Sequence, residues 1–220
     1  MRCVRVWFKK MGMSRYVSHL DLMRAMTRSV RRAGVPLWYT EGFNPHPYLT
    51  FALPLSLGME SLYESMDMRI EGESTNEEIY ELMKGSMPPG IEIVSVEEPL
   101  DDPKTIAYGE FDLLFDCDDE EALCSLIENL LSKDEIIVQK LGKQGRKKVL
   151  KDINLAEHLK SYELSSIRNR VKLTVVFPAG STTNINPSLL SDEIVKQAGE
   201  DIASFVVRKR LMKADMENFR

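Results

Sequence analysis

At 220 residues, with 43% hydrophobic and 29% charged side chains, the chain has room for one large or two ordinary globular domains and is too apolar to be disordered. Its net charge of −5 argues against indiscriminate nucleic-acid binding, and its three scattered cysteines exclude a disulfide framework or a cysteine-rich zinc site. The longest apolar run, 51–59, is interrupted by Pro54 and falls far short of the ~20 residues of a membrane helix. The opening MRCVRVWFKK has no signal-peptide core, so a cytoplasmic location without membrane contact is expected.

Residues 3–10 alternate as a strand, Val4, Val6 and Phe8 on one side and Arg5, Trp7 and Lys9 on the other. Ser18, with Asp21 three residues on, opens a helix that Gly34 and Pro36 close. Within it Leu22, Met23, Met26, Val30 and Ala33 form the apolar stripe, leaving Arg24, Arg28, Arg31 and Arg32 largely on the other side. Residues 37–40, 49–55 and 63–70 are predicted strands, with the Gly-, Pro- and Asn-rich loop 41–47 between the first two. Thr75 begins a second helix with early glutamates, Pro88-Pro89-Gly90 ends it, and 91–99 is a last strand. The order β-α-β-β-α-β over 1–100 is that of a ferredoxin-like unit.

Residues 101–107 read as a linker, and 108–220 as a second unit. Strand 109–117, helix 119–132 and strand 135–141 lead to a basic hairpin-like stretch at 143–153. A short helix at 154–162, strand 169–178, helix 186–199 and strand 201–212 complete it. The expected fold is therefore α+β, two tandem ferredoxin-like units, the second carrying an insertion.

Charge is unevenly spread along the first unit. Residues 1–48 carry nine Lys/Arg and two acids, whereas 49–100 carry two Lys/Arg and eleven acids. Arg24, Arg28 and Arg31 share one helix face by their spacing of four and three, with Lys9, Lys10 and Arg15 at the junction before it. Such a patch suits phosphates, each bound phosphate releasing a counterion; it also suits an ordinary solvated helix face paired with the acidic second half. Tyr16, Trp38, Tyr39, Phe43 and Tyr48 lie among these cations, and exposed rings stack unpaired bases. In 41–47 two prolines stiffen the backbone around Asn44 and His46, either as a platform for a ligand or as a capped crossover.

His19 and His46 are the candidates for acid–base chemistry on an RNA backbone, although a histidine at a helix start is more often a packing or capping residue. His158 reads as structural. Lys140, Lys143, Arg146, Lys147, Lys148 and Lys151 place six cations in twelve residues, enough for a secondary polyanion contact or for edge protection of a strand. Arg208, Lys209 and Arg210 form a third basic cluster, split between two faces if 201–212 is a strand. Cys117 and Cys124 read as small packing residues, and no cofactor or metal is called for.

The strings KKMGMSRYVSHLDLMRAMTRSVRRAG at 9–34 and YTEGFNPHPYLTFALPLSLGMES at 39–61 resemble the bacterial radical-SAM-linked protein family, a domain of unknown function. Members occur as separate chains or joined to the C-terminus of radical SAM proteins. The resemblance is tight over the first unit and looser over the second, where KKVLKDI at 147–153 and VVRKRL at 206–211 carry it. Radical SAM enzymes hold their cluster with closely spaced cysteines, typically CxxxCxxC, but here the cysteines are 114 and 7 positions apart. The resemblance thus implies an accessory module whose partners are a radical SAM protein and RNA or a ribosome-related particle. On that reading Lys10, Arg15, Tyr16, His19, Arg24, Arg28, Arg31, Phe43, Asn44, His46, Arg146, Lys147 and Lys148 are the binding residues. A metal-independent RNA-processing endonuclease, and a protein-docking module without nucleic acid, remain open alternatives.

Overall fold

The computed structural model describes residues 1–144, 147–199 and 202–220; side chains at 141–148 lie outside the described set. The chain is a mixed α+β protein with four α-helices among the described residues, divided into two compact units, Met1–Ile106 with Arg208–Arg220 and Ala107–Val207. The second unit thus ends at Val207, partway along the last strand.

In the first unit β1 (Arg2–Lys10) lies between β4 (Ile91–Glu97) and β3 (Glu60–Ile70), antiparallel to both. The outer side of β3 carries the short β2 (Leu49–Phe51), antiparallel, and β10 (Ala203–Lys213), whose residues from Arg208 belong to this unit. Helices α1 (His19–Arg32) and α2 (Asn76–Lys84) share one core with the sheet: Val4, Val6 and Phe8 meet Leu22, Met26 and Val30 of α1 and Ile79 and Met83 of α2. The alternation read in β1 therefore selects the helix-covered face.

The opposite face of β1 is closed as well, which its sequence does not suggest. Arg5 and Trp7 are only 1% and 3% exposed. Arg5 donates to both carboxylate oxygens of Asp67, its register partner on β3, at 2.6 and 2.8 Å. It also donates to the main-chain carbonyl of Arg220 at 2.7 Å. A cation with all these acceptors is tolerated in a dry interior where an unpaired one is not.

In the second unit β5 (Ile106–Asp116) pairs with β9 (Arg170–Pro178), β9 with β8 (Ser161–Ser166), and the 203–207 part of β10 flanks β5. The β5–β9 and β8–β9 pairings are antiparallel. Helices α3 (Glu120–Leu131) and α4 (Ser188–Ala198) bury Leu123, Ile127 and Leu130, and Leu190 and Ile194. Strands β6 (Ile137–Gln144) and β7 (Lys147–Asn154) form a separate antiparallel hairpin.

Several predicted elements differ. Residues 37–40 make only isolated bridges, Leu37 to Ile70 and Tyr39 to Pro47, because Pro47 has no N–H to extend a ladder. The strand predicted over 49–55 stops at Phe51. The helix predicted over 154–162 is absent: Asn154 Oδ1 accepts from the Ile136 and Ala156 amides, and this side-chain bonding replaces a helical start with a turn. His158 caps that turn through its own amide, which donates to Leu155 O at 3.0 Å. Strand β8 has no counterpart in the sequence reading, since SYELSS is mostly exposed and shows no apolar alternation.

Candidate functional site

The junction between β1 and α1 is built on a close backbone approach. Met11 N donates to Gly90 O at 2.8 Å, and Ser14 Oγ donates to Met11 O at 2.7 Å. Gly90 has φ +81°, and a Cβ there would sit 2.5 Å from Met11 O, so only glycine lets the 88–90 turn seat this junction. The 3-10 turn Gly12–Tyr16 follows, tied down by Gly12 N to Glu60 Oε1 at 2.8 Å and Gly58 N to Arg15 O at 2.9 Å.

Helix α1 starts as its sequence predicts. Ser18 Oγ accepts from Asp21 N at 3.2 Å and donates to Asp21 Oδ2 at 2.7 Å, and this bond holds the Asp21 carboxyl below its ordinary value. The buried stripe is Leu22, Met26, Ser29 and Val30, with Met23 and Ala33 half-buried. Arg24, Arg28 and Arg31 are exposed. Arg24 pairs with Asp21 at 3.1 Å, whereas among the described residues neither the Arg28 nor the Arg31 side chain has an ion-pair or hydrogen-bond partner. Arg32 turns away to Ser29 Oγ and Ser86 O.

The cations before α1 do not join that face as a set. Lys10 is 1% exposed and donates to Arg15 O at 3.3 Å; burial pulls its pKa down against the opposing pull of Glu64. Lys9 pairs with Glu92 across the β1–β4 ladder at 3.2 Å. Arg15 is 3.6 Å from Glu60 and lies over the exposed Tyr16 ring, 5.1 Å from its centre. His19 is half-buried and meets Phe51 edge-on, with 5.3 Å between ring centres. Around this turn Met13, Tyr16, Leu20 and Leu57 are all well exposed.

The loop 41–47 forms its own small unit. His46 Nδ1 is 3.1 Å from both Thr40 Oγ1 and Asn44 O, and the Thr40 amide donates to His46 O at 2.9 Å. Asn44 is exposed and Phe43 stands fully in solvent. At the base of the loop Arg69 lies between Trp38 and Tyr48, 5.3 and 4.4 Å from their ring centres. Cation–π packing thus accounts for two of the rings that the sequence marks as available for stacking.

Elsewhere Lys140 Nζ donates to Asn184 O at 3.2 Å, and Lys151 is exposed. Arg146 lies outside the described residues, as do the side chains of Lys143, Lys147 and Lys148. Arg208 is not a surface cation: it is 2% exposed, bonded to Glu64 through Nε at 2.9 Å and to Leu53 O at 3.0 Å. All three thiols are held above their ordinary values by burial, which keeps them protonated and poorly nucleophilic at neutral pH. Among the described residues no group of three or more His, Cys, Asp or Glu is placed to hold a metal, and no helix is long and apolar enough to cross a membrane.

Sequence reasoning missed a further cluster on the opposite face of β1. Trp7 and Tyr63 stack at 4.6 Å, Phe219 meets Trp7 edge-on at 5.9 Å, and Arg5 lies 4.4 Å from the Phe219 ring centre. Its only sequence signal was the odd-numbered side of β1, which reads as solvent-facing because Arg5 and Lys9 flank Trp7.

This is a mixed α+β chain whose exposed functional candidates are an arginine face, an apolar turn around Tyr16 and a stiff polar loop. The chain belongs to the family described as "Uncharacterized protein conserved in bacteria (DUF2344)", whose model matches residues 3–187. No curated protein matches it in sequence. Among solved structures it is similar to a chain of the "Crystal Structure of a Cbf5-Nop10-Gar1 Complex", with TM-score 0.51 and 11% identity over 96% of this chain. That match spans only 50% of the other chain, and at this identity it speaks to fold alone. The "Crystal Structure of an Unknown Protein from Galdieria sulphuraria" aligns over 94% of this chain and 98% of its own, at 12% identity and TM-score 0.28.

Proposed function

We propose that this protein is a non-catalytic RNA-binding adaptor that works beside a radical SAM protein, built from two ferredoxin-like units with the β6–β7 hairpin inserted in the second. Both strand orders suit that layout: β4-β1-β3-β2 in the first unit and β10-β5-β9-β8 in the second follow the same connection rule. The radical SAM association rests on the sequence resemblance.

The observation that carries the RNA reading is the outer face of α1. Arg24, Arg28 and Arg31 project from a rigid, capped helix, and the side chains of Arg28 and Arg31 have no ion-pair or hydrogen-bond partner among the described residues, in a chain of net charge −5. Most other cations of the first 48 residues are consumed by acids of β3 and β4 or buried, so this face is positive because its neighbours leave it so. Local positive charge on an acidic protein favours structure-dependent binding over general polyanion binding. Exposed Met13, Leu20 and Leu57 beside the turn supply apolar surface for the protein partner.

A nuclease needs an acid and a base converging on one phosphate. His19 contacts Phe51, and His46 bonds within its own loop, so no observation favours that reading over the adaptor. The test is RNA affinity against salt for the wild type and for Arg24→Ala/Arg28→Ala/Arg31→Ala. Three lost contacts should reduce the log–log slope by about 2, at roughly 0.7 per single-strand phosphate. An unchanged slope would reject the face.

A further inference from the structure

The first unit also has an open sheet edge. Strand β4 pairs with β1 on one side, and among the described residues no strand pairs with its other side, so the main-chain N–H and C=O groups of alternate β4 residues point outward. Beside this edge runs a groove of about 270 Å³ between β4 and α2, lined by Tyr80, Val94, Val96 and the glutamates Glu77 and Glu81. Trp7 faces Ser95 and Phe8 faces Ile93, so Val94 is an extra residue in β4. Such a bulge twists the edge and bars long flat pairing, leaving room for a short segment.

The edge is acidic as well. Glu77 and Glu81 border the groove on the helix side, and Glu92, Glu97 and Glu98 follow along β4 and just past its end. Three of these are engaged: Glu92 with Lys9, Glu81 with Lys84, which also approaches the Tyr80 ring, and Glu97 with the Ser95 hydroxyl. The side chains of Glu77 and Glu98 have no ion-pair or hydrogen-bond partner among the described residues. Arg2, which shares a hollow with both, is bonded to Asn76 Oδ1 and Ser74 O instead. Charge therefore chooses the occupant. A second copy pairing through the same edge would set its own glutamates against these, and a nucleic acid would bring phosphates. We propose that the β4 edge docks an extended basic segment of a partner protein, which adds as a strand beside β4, sets an apolar side chain in the groove and brings cations to Glu77 and Glu98. In this mode main-chain bonds supply affinity and the groove supplies the choice of side chain. The site uses no residue of the arginine face, so it stands or falls separately from the RNA reading.

The experiment titrates the full chain into a dye-labelled peptide of alternating lysine and valine, seven residues long to match β4. Anisotropy reads binding, and amide hydrogen exchange reads its place. The peptide should raise anisotropy and slow exchange within 91–97. Two further peptides carry N-methyl groups on every valine or on every lysine, which keeps the charge and removes alternate N–H donors. Strand pairing requires at least one of them to lose binding; equal binding by both overturns it. Glu77→Gln/Glu98→Gln, two exposed changes that leave the core intact, should weaken binding about 3-fold. Arg24→Ala/Arg28→Ala/Arg31→Ala should leave peptide binding unchanged. An unchanged affinity in the glutamine variant, or equal binding of a peptide with glutamate in place of lysine, overturns the basic partner. Exchange within 91–97 that slows with protein concentration alone assigns the edge to a second copy, and slowing by single-stranded RNA assigns it to nucleic acid; either overturns the proposal. No binding at about 1 mM peptide also overturns it, and leaves the arginine face to its own salt test.

Discussion

Arg208 and Glu64 are each 3% exposed at the side chain, and they face one another where β10 meets β3 in the first unit. Removing one member leaves a buried charge without its counterion, so Glu64→Gln should lower the unfolding free energy by roughly 3–5 kcal/mol in a urea titration. Joint replacement by Glu64→Met and Arg208→Leu should be far milder than the single change, because a pair of apolar side chains carries no stranded charge. A single variant as stable as wild type would show that water reaches the pair. Lys10 offers a second test at this scale. Desolvation sets its native pKa below 10.5, so the unfolded chain binds the proton more tightly. Native stability therefore rises with pH from the depressed native value up to 10.5 and is penalised below it. Cys3 and Tyr63 also titrate at high pH, so the readout is the difference between wild type and Lys10→Met, which should shift toward wild type across that window. A flat difference would contradict the burial.

At the scale of elements, α1 carries the proposed interface, and its first turn decides how rigidly the arginines are presented. Ser18→Ala removes an acceptor for Asp21 N and should cost about 1 kcal/mol, seen as earlier thermal unfolding. It should also weaken RNA binding less than loss of the arginines does; equal loss would make the cap itself part of the interface. Helix α2 is opened by a full capping box, Thr75 Oγ1 accepting from Glu78 N and Glu78 Oε2 from Thr75 N, and both helix starts were legible because capping chemistry is local. The misread helix at 154–162 shows the opposite case. Its Leu155 and Leu159 spacing looks helical, but Asn154 binds the end of a strand eighteen residues earlier, and that partner is invisible to a local window.

For the whole molecule, β10 is the element that makes the first unit depend on the end of the chain. Residues 1–106 alone lack Arg208 and the part of β10 that lies beside Glu64 on β3, together with the buried Leu211, Met212 and Phe219. That fragment should unfold at lower denaturant than the full chain. A fragment as stable as the intact protein, by the same urea titration, would place the stabilising contacts elsewhere. The charge asymmetry between 1–48 and 49–100 also takes its meaning at this scale. It is partly a register: Arg5 faces Asp67, Lys9 faces Glu92 and Arg15 approaches Glu60, so three of the nine cations of the basic segment are neutralised by the acidic one. Only α1, which lies over the sheet instead of within a ladder, keeps its cations outward.

What local chemistry controls was legible along the chain: helices α1 and α2 through their starts and stops, α3 and α4 through their apolar pattern, most of the strands through alternation, and the α+β class through their order. Tertiary structure decided which charged and aromatic residues are surface. Lys10, Arg5 and Arg208 read as solvent-facing cations and are buried, because strands far apart in sequence bring acids against them. Trp7 and Tyr63, separated by 56 positions, meet only when β1 and β3 pair, with Ser65 opposite Trp7. Burial and pairing are long-range properties, set by which strand lies beside which, and no window along the chain contains both partners.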